Sequence, residues 1–289
     1  MAEVAGLIIG SVALTGLFNN CVDTFQYIQL GRNFGNDYET SLLRLDVVKL
    51  RFTRWGALMT MQDGTESPRP RAAASPEQVE LAARLLGQIM NTFERTKEAS
   101  KTFQMIAKPE QLAIGSRLQS GNLAMLHESL QRKIQERCKA RQMGTSLTAK
   151  AKWAIYKKAH FNRLIEELTD LVDSLLFVFP DSEGFQRQLC TAEVSDIGKD
   201  ESLMALRDAA SGSDETLEEV VQETLDTRGV QYWRNVKAAG RAEQFMGNDY
   251  SGVEEIVTKP KRQDWEGILG MDEARQFMGN VYGGGSFFG

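Results

Sequence analysis

The sequence predicts a helical bundle over residues 1–227 followed by a tail, 228–289, made of two stacked β layers. Three observations carry this. Apolar residues of the first part recur at steps of three and four, and all six prolines fall at helix boundaries or in linkers. Glycine supplies eleven of the sixty-two tail residues but only fourteen of the 227 before them, so the tail is a different kind of polymer. Segment 231–252, QYWRNVKAAGRAEQFMGNDYSG, returns thirty-two residues later as 263–284, QDWEGILGMDEARQFMGNVYGG, with ten of twenty-two positions identical.

The first element is an uncharged run of nineteen residues from Val4 to Val22. Its length is at the short edge of the ~17–25 apolar residues that span a bilayer. Gly6 and Gly10 form a GxxxG around Ile9, a spacing that lets two helices approach closely in lipid, and Leu14 continues the apolar face. The start Met-Ala-Glu has no basic region, so the run does not read as a signal peptide. Gly16, Asn19 and Asn20 dilute it, which equally suits a first helix buried in the bundle; the two readings are compatible at different times.

Four long amphipathic helices follow. Leu42, Leu45, Val48, Phe52, Trp55 and Met59 mark one; Val79, Ala82, Leu86, Ile89 and Phe93 the next, opened by Ser75 as N-cap with Pro76 in the first turn. Leu123, Leu126, Leu130, Ile134 and Cys138 mark a third, and Leu164, Leu168, Leu171, Leu175 and Phe179 a fourth, stopped by Pro180. Shorter helices are expected around 183–193, 201–210 and 214–225.

In the tail, charge changes sign between the copies. Arg234 faces Glu266, Arg241 faces Glu273 and Glu243 faces Arg275, so stacked layers would pair each as a salt bridge. Uncharged polar positions stay identical: Gln231/Gln263, Gln244/Gln276 and Asn248/Asn280 would form amide ladders at the ~4.7 Å strand spacing of cross-β structure. Arg241 and Glu243 alternate with Ala242, Gln244 and Met246, the period of a strand. Gly247 and Gly279, each followed by asparagine, mark corners where positive φ is tolerated. Two repeats are fewer than the roughly three that stacked arrays need to stand alone, so further layers would come from other molecules.

A net charge of −5 argues against general nucleic-acid binding, and three widely spaced cysteines, Cys21, Cys138 and Cys190, fit a reducing cytosol. Two histidines, His127 and His160, cannot build a histidine-based zinc cluster. No phosphate loop, HExxH, GxSxG or paired-carboxylate pattern is present, so neither an enzyme nor a cofactor or metal site is expected.

The doubled motif, with its charges before a Gly-Asn corner and its terminal GGGSFFG carrying Phe287 and Phe288, resembles the prion-forming domain of the fungal HET-s family. The opening GLFNNCVDTFQYIQLGRNFGNDYETSLLRLDVVKLRFTRWG resembles the start of the HeLo domain that accompanies it. The resemblance implies a tail that is disordered when soluble and a two-layer β-solenoid when amyloid. It further implies a cytoplasmic head that relocates to the plasma membrane and permeabilises it when tail assembly releases the N-terminal helix. Asp23 falls at a position important for that switch, and Asn33 where relatives vary between killing and inert forms. The implied partners are other copies of the chain, including a head dimer, and membrane lipids; a receptor bearing a related repeat is a further candidate. A soluble, self-propagating scaffold with an inert head is the alternative. This chain departs from the family pattern in its shorter repeat offset, in QFM before the corner, and in Gly267 where the first copy has Asn235.

Overall fold

The computed structural model describes residues 2–59, 75–114, 122–142, 152–179, 183–234, 236–247 and 262–279; within these, the side chains at 2–13, 32, 36, 122–124, 231–234, 262, 264 and 266 are left aside. Two compact units emerge, Met1–Val221 and Gln222–Gly289.

The first unit is a helical bundle organised on one helix. Of the predicted stripe, Leu45, Val48, Phe52 and Trp55 are buried and Leu42 and Met59 partly buried on helix α2 (Tyr38–Met59), but Leu43, Val47, Leu50 and Leu58 are buried on its other sides. A helix covered on every side lies in the middle of its bundle, and the charged residues it buries there must find partners. Around α2 pack α1 (Ala2–Gln26), α4 (Asn122–Ala140), α5 (Lys158–Phe177), α6 (Glu183–Ile197) and α7 (Asp200–Ala210), while α3 (Pro76–Ile106) packs on α1 and α5. The last helix, α8 (Glu215–Thr227), contains the division between the units.

Aromatic rings fill the centre. Phe18 of α1 lies 5.0 Å from Phe52 and 5.8 Å from Trp55 between ring centroids, and Phe25 meets Phe93 edge-on at 5.0 Å. Gly56 lets α1 come this close to α2, because a Cβ there would overlap the Phe18 ring. The Ser75 cap forms as expected: its hydroxyl accepts from the Gln78 N–H at 3.2 Å while the Gln78 side chain accepts from the Ser75 N–H at 2.9 Å.

One feature of the bundle departs from the all-helical expectation. Strands β1 (Ile28–Leu30) and β2 (Trp153–Ile155) pair in parallel, and Gly31 extends the pairing by donating its N–H to the Ile155 carbonyl at 2.8 Å. Three residues each are too few to show a period of two, and their partners lie far apart in sequence, so no local pattern announces them.

The second unit carries the repeats. Strands β3 (Val230–Arg234), β4 (Lys237–Ala238) and β5 (Glu243–Met246) pair in parallel with β6 (Arg262–Glu266), β7 (Leu269–Gly270) and β8 (Arg275–Met278). Every register pair is thirty-two residues apart, the offset of the repeat. Gly240 and Asp272, equivalent in the two copies, both turn the chain at positive φ, 68° and 60°. Gly267 turns it at φ 65°, so the glycine that replaces the first copy's asparagine occupies a conformation both residues tolerate.

Candidate functional sites: the layered tail and the first helix

Two of the sign-inverted pairs lie against each other. Arg241 Nε donates to Glu273 Oε2 at 2.9 Å, and Arg275 Nη1 lies 3.8 Å from Glu243 Oε1. Both pairs are mostly exposed, with Arg241 and Glu273 at 88% and 73%, so each contributes ~0.2–1 kcal/mol and acts chiefly on register. Arg234 and Glu266 are register partners along the backbone, as are Gln231 and Gln263. The second amide ladder is present: Gln276 Nε2 donates to Gln244 Oε1 at 3.1 Å. Asn248, Asn280, Phe287 and Phe288 lie outside the described residues.

Two further ladder elements join these. Phe245 stacks on Phe277 at 5.4 Å with the rings 18° from parallel, and the Gly240 N–H donates to Asp272 Oδ2 at 3.2 Å. The identity of Phe245 and Phe277 across the offset was the signal for the first; nothing local marked Asp272. The corner glycines divide their roles. Gly279 takes φ 141°, whereas Gly247 is not at positive φ. It is needed because a Cβ there would overlap the Gly279 carbonyl, so the corner demands close approach of two backbones rather than conformational freedom.

Copies of the same residue are not equally covered. Met246 in the first layer is 3% exposed and its counterpart Met278 in the second is 48%. Trp265, Leu269 and Met271 of the second layer are exposed too. The second layer therefore offers an apolar surface.

At the other end of the chain, the uncharged run lies within α1. Gly6, Ile9 and Gly10 fall among the undescribed side chains, while Leu14 is buried with Phe18, Cys21, Val22 and Phe25 in the core. Among the described residues no helix is long and apolar enough to cross a membrane. Asp23 is buried; its Oδ1 accepts from Gln142 Nε2 at 2.6 Å, and its Oδ2 has no hydrogen-bond partner. Asn33 is exposed in the 3-10 stretch Arg32–Asp37.

A buried charge cluster that sequence reading missed lies in the bundle. Arg54 of α2 donates Nε and Nη2 to Glu193 of α6, at 3.0 and 2.6 Å, and Nη1 to Asp214 at 2.6 Å; all three are at most 3% exposed. Burial opposes the Arg54 charge, but Asp214 and Glu193 outweigh it and hold its pKa well above the usual value. Arg141 shares Glu193 at 2.5 Å. Arg51 pairs with Asp173 at 2.5 Å and donates to the Ser213 carbonyl at 2.8 Å. Burial pushes the neighbouring Cys190 thiol up to about 12, which keeps it neutral and unreactive. The cluster escaped notice because Arg54 lies off the apolar stripe by which α2 was recognised.

A domain family described as "Prion-inhibition and propagation", HeLo, matches residues 6–206. The chain belongs to the HeLo family. This HeLo-family chain is 32% identical over 250 residues to heterokaryon incompatibility protein s of Podospora anserina, covering 86% of this chain and 84% of that protein. It is 31% identical over the same length to protein S of that organism. Its fold is similar to the solved HET-S N-terminal domain, with a TM-score of 0.66 and 31% identity over 74% of this chain and 94% of the other. A doubly substituted HET-s N-terminal domain matches at the same TM-score, 32% identical and 98% covered.

Proposed function

We propose that this HeLo-family protein is a cell-death effector of heterokaryon incompatibility, switched on when its tails stack into amyloid and its heads permeabilise a membrane. The observation that carries the reading is the tail's constant register of thirty-two residues with inverted charges. The two layers of each molecule carry inverted charges position by position, so the second layer of one copy is complementary to the first layer of the next. The exposed Trp265, Leu269, Met271 and Met278 are the surface such a neighbour would cover. Residues 228–289 would supply the assembling part, and a receptor carrying a related repeat would seed it by the same pairing.

The membrane step rests on the uncharged run in α1 and on the family's relatives. Burial of apolar surface stabilises by ~25 cal/mol per Å² in a protein core or a bilayer alike, so a marginal helix is held by the packing around it. Stacking tails crowds heads around one fibril, straining that packing while raising the local concentration of released helices. The protein would then move from cytoplasm to plasma membrane.

Liposome leakage by the full-length chain, seeded with fibrils of its own tail, is the decisive measurement. Leakage that depends on the seed is expected, and Ile9→Lys should abolish it without affecting fibril formation, because lysine at the bilayer centre costs ~2.5–3.5 kcal/mol. A variant that keeps the head's helicity and melting temperature yet still permeabilises would rule out insertion of α1. Seeded fibrils without any leakage from the unmodified chain would leave the scaffold with an inert head.

A further inference from the structure

We infer that Arg54, Arg141 and Gln142 are positioning residues of a polar relay that ties the root of the tail to helix α1. The relay starts at Asp214, whose Oδ1 accepts from the Leu217 N–H at 3.3 Å and so caps the first turn of α8. Its other oxygen is held by Arg54, which grips Glu193 with two nitrogens. Glu193 is shared with Arg141, just past the end of α4. The next residue, Gln142, donates to Asp23 on α1. Each hydrogen bond in it is 3.3 Å or shorter, and the series crosses the bundle from α8 to α1.

The buried charge cluster through which it passes is balanced. Three guanidiniums, of Arg51, Arg54 and Arg141, face three carboxylates, of Asp173, Glu193 and Asp214. Helix α8 continues to Thr227, and the first repeat strand begins at Val230, so a tail drawn into a stack pulls on α8 directly. Once Asp214 is pulled away, Arg54 and Arg141 are left together on Glu193, with one positive charge in excess in a buried site. Repulsion then displaces Arg141, and Gln142 moves with it. Asp23, whose second oxygen already lacks a partner, becomes a buried carboxylate without its donor, and α1 is destabilised where it lies.

What the release of α1 achieves rests on the membrane reading above; the relay itself is testable in the soluble full-length chain. Hydrogen exchange of α1 amides over residues 14–26 is the readout. Gln142→Glu, which sets a like charge beside Asp23, should raise their exchange about tenfold, the loss expected for a hydrogen bond to a charged group. Gln142→Lys should slow it, an opposite sign that a merely structural role for a loop residue would not produce. Asp214→Asn, at the far end, should also speed α1 exchange, and combined with Gln142→Glu should give less than the product of the two effects.

Multiplying effects, or an Asp214→Asn chain whose α8 exchanges faster while α1 is unchanged, would overturn the relay. So would faster exchange with Gln142→Lys, a variant that removes no charge partner and tests the idea even if Asp214→Asn does not fold. Seeded leakage of the same variants separates the two proposals: the predicted exchange pattern with no leakage from any chain supports the relay and overturns the membrane reading.

Discussion

The bundle and the tail both join guanidinium to carboxylate, yet to opposite ends. In the bundle, Arg54 and its partners are almost fully buried and each residue has unique neighbours from distant helices. In the tail, Arg241 and Glu273 lie in water, and in the proposed stack the same pairing would recur wherever one layer met another. Removal from solvent makes an ion pair costly to break and so fixes one arrangement; exposure makes it weak but indifferent to which copy supplies the partner. One chain thus uses the same chemistry to specify a single fold in its bundle and, on the proposed reading, a repeating one in its tail.

The largest expected effect tests the buried side of this contrast. Glu193→Ala leaves Arg54 and Arg141 facing each other across a carboxylate-poor site, and should lower the bundle's stability to urea by ~3–5 kcal/mol. A loss below about 1 kcal/mol, the range of an exposed pair, would erase the distinction.

Next in size is the corner. Gly247→Val forces a side chain against the Gly279 backbone, and overpacking of ~1–3 kcal/mol in every layer should slow seeded tail elongation about tenfold or more. Unchanged elongation followed by thioflavin fluorescence would mean that the layers do not approach as they do within one molecule.

The smallest effect belongs to the exposed pairs. Arg241→Glu should slow elongation by a few-fold, in keeping with ~0.2–1 kcal/mol per pair, and Arg241→Glu with Glu273→Arg should restore most of the rate. High salt should compress the difference between single and double variants. A double variant no faster than the slower single one would show that register is set elsewhere, by the Gln244–Gln276 and Phe245–Phe277 ladders.

How much of this was legible beforehand follows from what kind of interaction holds each part. Helices announce themselves through local periodicity, and the Ser75 cap, α2, α3, α5 and the short helices 183–197 and 200–210 lie where the pattern put them. The layer pairing was legible because a repeat is a local record of a long-range contact. What could not be read were contacts between elements with no internal symmetry. The β1–β2 pair joins residues over a hundred positions apart, and Arg54, Glu193 and Asp214 come from three helices' worth of sequence with no shared pattern. Gly247 was found at the right place for a different reason, since sequence shows that a glycine is present and not whether φ or proximity requires it.

The parallel sense of the tail's three strand pairs has a directional consequence. Any column built by repeating this pairing has one terminus that always ends in the layer of Arg241 and Glu243 and another that always ends in the layer of Glu273 and Arg275. The two tips are chemically unlike: one presents Lys237 and Ala238 at the positions where the other presents Leu269 and Gly270. Such a filament has a head-to-tail polarity, like a ratchet that accepts monomers in a single orientation, and an incoming chain is read by a different set of residues at each tip.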